Sequence, residues 1–119
     1  MTKDKWIYVI VDACQRAGTY QECFMSAIET LGGILERRDE AENSYDNTGR
    51  RIVVEKVDAR GNSSMMPNPA LRVLNQLDHE ALAYWRDLGL TPAGLKKINE
   101  AAMKEKSADP LAEALKDLG

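Results

Sequence analysis

The chain has 119 residues and a formal net charge of −3 at pH 7, and 44% of its residues are hydrophobic. This length suits one ordinary domain, and the composition excludes a disordered tail. No apolar run approaches the roughly 18 residues that a membrane-spanning helix needs, and the first residues lack the pattern of a signal peptide. Two cysteines are too few for a disulfide scaffold. We therefore expect a reduced, cytoplasmic protein.

The first third of the chain is predicted to be helical. We favour one long helix over about residues 4–31, bent at Gly18 and ended by Gly32-Gly33. The alternative is two helices, because Gly18 weakens a helix by about 1 kcal/mol and Thr19 with Glu22 matches a capping box. One helix is favoured because a stripe of apolar or small residues, spaced alternately three and four positions apart, continues in phase across Gly18. These residues are Ile7, Ile10, Cys14, Ala17, Phe24, Ile28 and Leu31.

The next segment is predicted to be a β-hairpin at about residues 34–57. A short extended run, 34–38, and a β-branched run, 51–57, flank a cluster of turn-forming residues at 43–49. Residues 58–68 have the composition of a loop. Because a two-stranded hairpin is marginal alone in water, we expect it to lean on the helices or on a neighbouring subunit.

Three pairs of a capping residue and a proline mark helix starts in the second half: Asn68-Pro69, Thr91-Pro92 and Asp109-Pro110. They predict a long helix at about 69–88, a shorter helix at about 92–105 and a short tail helix. The predicted fold class is therefore mainly α, with two long antiparallel helices joined by a β-hairpin and short C-terminal helices. We divide the chain into a helical core, residues 1–105, and a tail, residues 106–119.

Both long helices carry apolar residues beside the faces that pair with each other. Surplus apolar surface of this kind is usually covered by another chain, so we expect a homo-oligomer. The candidate interface residues are Tyr8, Val11, Tyr20, Met25, Val73 and Tyr84.

Positive charge is concentrated in residues 49–72, which carry five basic and two acidic side chains, whereas residues 1–48 carry five basic and nine acidic ones. The basic segment is either an ordinary surface fluctuation or a phosphate-facing loop that an oligomer would repeat. Lys96 and Lys97 lie either near a phosphate-attracting helix start or on the solvated face of that helix. The candidate DNA-binding residues are Arg50, Arg51, Lys56, Arg60, Lys96 and Lys97.

Catalytic chemistry has little support in the sequence. The one histidine, His79, lies in the second long helix, where a lone histidine is typically a surface or interface residue. No HExxH, CxxC, GxSxG or GxxxxGK[ST] motif occurs. Cys14 and Cys23 are nine residues apart and would lie on opposite sides of one helix. We predict no enzyme, no catalytic residue, no metal and no cofactor.

Several of these features together resemble a known family. The residues that carry the resemblance are Cys14, Tyr20 and Gly32-Gly33 in the first half, and Asn68-Pro69 and Gly89-Leu90-Thr91-Pro92-Ala93-Gly94-Leu95 in the second. They are similar to the small terminase subunits of tailed bacteriophages, in the family named after phage P27, and the resemblance covers about residues 4–105. In these subunits, a helical core like residues 1–105 serves oligomerisation and DNA packaging.

The resemblance implies a non-catalytic, ring-forming protein of a phage or prophage. Its implied partners are viral double-stranded DNA at the packaging site, the large terminase subunit that carries the ATPase and nuclease, and its own copies, with no membrane. Its implied location is the cytoplasm of the host bacterial cell. The alternative is a prophage-encoded helical interaction or regulatory protein without a packaging role.

The tail has two interpretations. Leu111, Leu115 and Leu118 either dock the large subunit as a short amphipathic helix or cap the bundle of their own chain.

Overall fold

A computed structural model describes residues 1–107, and the chain there is mainly helical, as predicted. The elements in chain order are α1 (Lys3–Ala17), a 3₁₀ turn (Glu22–Phe24), α2 (Met25–Asn47), β1 (Val53–Val57), β2 (Ser63–Pro67), α3 (Pro69–Asp87) and α4 (Pro92–Ser107). The third predicted helix start, Asp109-Pro110, and the proposed docking residues of the tail lie outside the described residues.

The long antiparallel pair consists of α2 and α3, and α1 folds back along α2. Arg38 of α2 forms an ion pair with Asp78 of α3 across this helix pair. A small second cluster joins Ala41 and Tyr45 of α2 to Leu74 of α3. The main core lies where α1, α2 and the end of α3 meet, and it contains Ile10, Cys14, Ile28, Leu31, Ile34, Leu35, Ala81 and Leu88.

The prediction of one continuous helix over 4–31 was wrong, and the two-helix alternative is confirmed. α1 ends at Gly18, which adopts a left-handed conformation with φ 73° that costs glycine little. The Thr19 N–H then donates to the Cys14 carbonyl at 2.9 Å. The helix restarts at Glu22 rather than at Thr19, because the buried Thr19 side chain turns back toward Cys14 and caps nothing ahead of it.

Gly32-Gly33 were predicted to end the helix and residues 34–38 to form a strand, and this was also wrong. Gly32 and Gly33 lie inside α2. A Cβ on Gly32 would lie 2.9 Å from Ile7 Cγ1 and 3.3 Å from the Lys3 carbonyl oxygen. This glycine therefore lets α1 approach α2 closely, and the following Ile34 and Leu35 are buried in the core.

The hairpin exists, but it lies later in the chain than predicted. Its strands are β1 and β2, paired antiparallel from Val53–Pro67 to Val57–Ser63. The predicted strand at 34–38 and residues 43–47 of the predicted turn belong to α2 instead, and only Thr48 and Gly49 form a turn. The turn at 58–62 is closed by Asp58, whose carboxylate accepts hydrogen bonds from the Arg60 and Asn62 N–H groups at 2.9 Å. Residues expected to form a loop thus supply the second strand.

Asn68 joins the hairpin to the helices. Its side chain is buried and makes three hydrogen bonds: Nδ2 donates to Thr48 Oγ1 and to the Arg51 carbonyl, each at 2.8 Å, and Oδ1 accepts from the Ala70 N–H at 3.0 Å. The last bond is the predicted N-cap of α3. Asn68 therefore fixes the end of α2, the base of the hairpin and the start of α3 relative to one another.

A hydrogen bond joins Trp6 of α1 to Asp39 of α2. The indole Nε1 donates to Asp39 Oδ2 at 2.7 Å, and the amino group of Met1 contacts the same oxygen at 2.9 Å. Burial by itself raises the pKa of the Asp39 carboxyl, but these donors outweigh it, so that the pKa lies below its ordinary value. The bond thus holds α1 on α2 when Asp39 is ionised.

Replacement of Gly33 by alanine should stabilise the protein by about 0.5–1 kcal/mol, because a Cβ there meets only the ends of Arg37 and Lys3 at ordinary distances. Gly32→Ala should gain less or lose stability, since its methyl group must displace Ile7. Chemical denaturation of the two variants measures the difference. A loss of stability in Gly33→Ala would show that this glycine ends a helix after all.

Asn68→Asp keeps the N-cap acceptor but replaces the buried Nδ2 donor with an oxygen. We expect it to destabilise the fold by roughly 2–3 kcal/mol, because the Thr48 and Arg51 oxygens lose their donor. The exposed Asn75→Asp in α3 is the matched control and should change little. Equal thermal unfolding curves for the two variants, at equal protein concentration, would contradict the role given to Asn68.

Asp39→Asn should cost about 1 kcal/mol at neutral pH, since the hydrogen bonds to a charged acceptor become neutral ones. The lowered pKa means that ionised Asp39 stabilises the fold above the unfolded-state pKa of about 3.9, and that this stabilisation is lost as the pH falls through the folded-state value. The stability gap between the wild type and Asp39→Asn should therefore close below about pH 4. A gap that stays constant in urea unfolding from pH 7 to pH 3 would contradict this.

Candidate nucleic-acid interface

The hairpin is an arm that projects from the helical body. Its two strands pack on each other, and neither packs along a helix of the described chain. The chain measures 85 × 25 × 19 Å and has a radius of gyration of 22.0 Å, whereas a compact domain of this length would have about 14 Å. We call residues 51–67 the arm and the three helices α1, α2 and α3 the body.

Three of the predicted DNA-binding residues lie on the arm with free charges. Arg51 is at its base, Lys56 is on β1 and Arg60 is at the turn, and all three are exposed. None of them is within ion-pair distance of a carboxylate in the described residues. The carboxylate of Asp58 nearby is held by the turn's own N–H groups.

Arg50 differs from these three because its charge is already paired. Its Nη1 lies 3.0 Å from Glu42 Oε1 and also contacts Asp46, and the guanidinium lies 4.7 Å from the centre of the Tyr45 ring. The Tyr45 hydroxyl in turn donates to the Arg50 carbonyl at 2.9 Å. The hydrogen bonds to Glu42 and Asp46 raise the pKa of the Arg50 guanidinium. This arginine stabilises the end of α2, where its own backbone adopts a positive φ of 56°.

Lys96 and Lys97 lie together at the other end of the α3 helix. Both are exposed in α4, and an exposed arginine that the sequence analysis missed, Arg86 of α3, lines the same open groove. α4 starts against the end of α3: a Cβ on Gly94 would be 2.0 Å from the Arg86 carbonyl oxygen. The Gly94 N–H also donates to Thr91 Oγ1 at 3.1 Å, as a cap. This groove is mixed in charge, because Glu100 lines it too.

The structure also separates the predicted interface residues. Tyr8 and Val73 are exposed on α1 and α3, by 75% and 48%. The other four are half-buried and pack against the core of their own chain: Val11, Tyr20, Met25 and Tyr84.

Sequence reasoning missed the most exposed apolar side chains of the arm, namely Ile52, Val53, Val57 and Met65. A signal for them was the turn sequence Asp58 to Asn62, which separates two extended runs of five residues each.

The described residues hold little that suggests a reaction centre. His79 is exposed on α3, Cys14 is buried in the core and Cys23 is exposed. Burial raises the pKa of the Cys14 thiol, which keeps it protonated and inert. Within residues 1–107, no group of three potential metal ligands comes together, and no helix is long and apolar enough to cross a membrane.

The chain matches the model of a known protein family. The model of the family described as phage terminase, small subunit, matches residues 2–105. No curated protein and no solved structure matches the chain. Since the family model covers most of the sequence, including the body, the arm and most of α4, the chain belongs to the phage terminase small subunit family.

Proposed function

We propose that this protein is the non-catalytic DNA-binding subunit of a phage or prophage packaging machine. It assembles into a ring, binds the packaging site of viral double-stranded DNA, and recruits or regulates the large terminase subunit. The observation that carries the proposal is the family match over residues 2–105. Assignment to the P27 subtype remains a prediction from the sequence.

The arm is the element best suited to contact DNA. The major groove of B-DNA admits a two-stranded β-ribbon. The arm is such a ribbon, and it projects from the body. Arg51, Lys56 and Arg60 are distributed from its base to its turn, and no carboxylate competes for them in the described residues. They supply the phosphate contacts in this proposal, together with Lys96 and Lys97 as a second, weaker contact.

Assembly compensates for the small number of cations on each chain. Three phosphate contacts give weak binding at physiological salt, because affinity falls steeply as counterions compete. Several arms that bind one duplex raise the avidity without new chemistry. The overall charge of −3 is compatible with this arrangement, because residues 49–72 carry five basic and two acidic side chains.

The salt dependence of DNA binding tests the role of the arm. Neutralising Arg51, Lys56 or Arg60 with glutamine should each reduce the slope of log affinity against log salt by about 1 for every copy that contacts DNA. Arg50→Gln is the matched control, because its charge is already paired with Glu42 and Asp46. Its slope should equal that of the wild type.

Fluorescence anisotropy with a labelled duplex, over a series of salt concentrations, measures these slopes. Circular dichroism of each variant checks that the fold is kept. If the three arm variants kept the wild-type slope, the arm would not be the DNA-binding surface. If Arg50→Gln lowered the slope as much as they do, the distinction between paired and free arginines would be wrong.

A further inference from the structure

The turn of the arm is held in one conformation by its own hydrogen bonds. Asp58 Oδ1 accepts from the Arg60 and Asn62 N–H groups, each at 2.9 Å. The Asp58 N–H donates to the Asn62 carbonyl at 2.9 Å, and the Gly61 N–H donates to the Asp58 carbonyl at 3.1 Å. Gly61 has a φ of 81°, which glycine adopts at little cost. These bonds engage the Asp58 carboxylate and fix the backbone on both sides of Arg60.

The Arg60 side chain stands at the end of the arm opposite its base. It is exposed, and within residues 1–107 its guanidinium has neither a hydrogen bond nor an ion pair. Its own contact with Asp58 is made by the backbone N–H. The fixed turn therefore presents a free, planar fork of N–H donors, which suits the recognition of two acceptors lying side by side.

The dimensions of the arm fit the major groove of B-DNA rather than the minor groove. The major groove is about 12 Å wide and about 8.5 Å deep, and it admits a two-stranded ribbon. The strands of a ribbon lie about 4.8 Å apart before side chains are added, so that a minor groove about 6 Å wide is too narrow for it. At about 3.4 Å a residue, the depth of the major groove holds the turn and the adjoining pair Val57–Ser63.

We propose that the turn of the arm enters the major groove and that Arg60 recognises a guanine there. The proposal deepens the DNA binding of the proposed function and rests on it. Guanine presents its N7 and O6 acceptors side by side in the major groove, and an arginine fork binds both at once. Arg60 thus adds sequence specificity to the electrostatic attraction that all cations of the arm share.

The positions of the residues along the arm separate base recognition from phosphate binding. With the turn inside the groove, Lys56 on the second pair from the turn lies near the groove edge, where the phosphates are, and Arg51 at the base lies outside. Val57, which is 62% exposed, enters the groove with the turn. An apolar side chain at this position suits base edges, where it meets thymine methyl groups, better than it suits phosphates.

Arg60→Gln and Arg51→Gln are a matched pair, because each removes one positive charge from the arm. Glutamine at position 60 keeps the backbone N–H that closes the turn. Sequences that the full-length protein selects from duplexes with a randomised centre measure the base preference. Arg60→Gln should lose a guanine preference of about 5- to 150-fold at its position in the site. Arg51→Gln should bind all sequences more weakly and keep that preference.

Replacement of the selected guanine by 7-deazaguanine tests the groove directly. This base still pairs with cytosine but presents a C–H in place of the N7 acceptor in the major groove. The wild type should bind the modified duplex several-fold more weakly, whereas Arg60→Gln should bind both duplexes equally. Inosine at the same position lacks only the minor-groove amino group and keeps N7 and O6, so that wild-type binding should stay the same.

The outcomes separate the base contact from the proposed function. A wild-type protein that binds no duplex would overturn both. A wild type that binds all duplexes without a guanine preference would overturn the base contact alone and leave the arm as a phosphate-binding element. The same conclusion would follow if Arg60→Gln kept the preference, if Arg51→Gln lost it equally, or if inosine weakened binding and 7-deazaguanine did not. Circular dichroism of each variant separates loss of recognition from loss of folding.

Discussion

The buried side chain of Asn68 is the constraint on which the rest of the structure depends. Its amide links three segments: the turn after α2, the base of the arm and the first turn of α3. A buried amide stays in place only when its donors and its acceptor are all satisfied. Here each partner belongs to a different segment, so the direction of the arm is fixed by hydrogen bonds rather than by apolar packing.

Arg50 supports this junction from the side of α2. Its carbonyl accepts from the Tyr45 hydroxyl, and its guanidinium is held by two carboxylates of the preceding helix turns. The next residue, Arg51, has no carboxylate partner within residues 1–107, although the two arginines are adjacent in sequence. The fold thus separates two residues of one type into a structural arginine and a free one. Net charge along the sequence cannot make this distinction, because it counts both equally.

The sequence was sufficient for the features that depend on local rules. Asn68-Pro69 and Thr91-Pro92 begin helices because capping and proline geometry act within one turn. The breaks and pairings that depend on tertiary contacts were not predictable in this way. Gly32 was interpreted as a helix end, but it lies inside α2, at the place where Ile7 and the backbone of α1 approach the helix closely. The apolar seam crossed Gly18 in phase, yet the chain turns there to fold α1 back on α2. The partner of β1 was missed because Ser63 to Pro67 has weak strand propensity.

The small number of free cations on each arm links DNA binding to assembly. Three free cations on one arm would give a log–log salt slope of about −3 at most, which corresponds to weak binding by a single arm. In the proposed ring, several arms contact one duplex, so that the avidity exceeds the affinity of each arm. The number of arms that reach the duplex therefore determines how strongly the protein binds DNA. The same coupling runs in reverse: DNA that bridges several arms would stabilise the contacts between their subunits, because linkage between two binding equilibria is reciprocal.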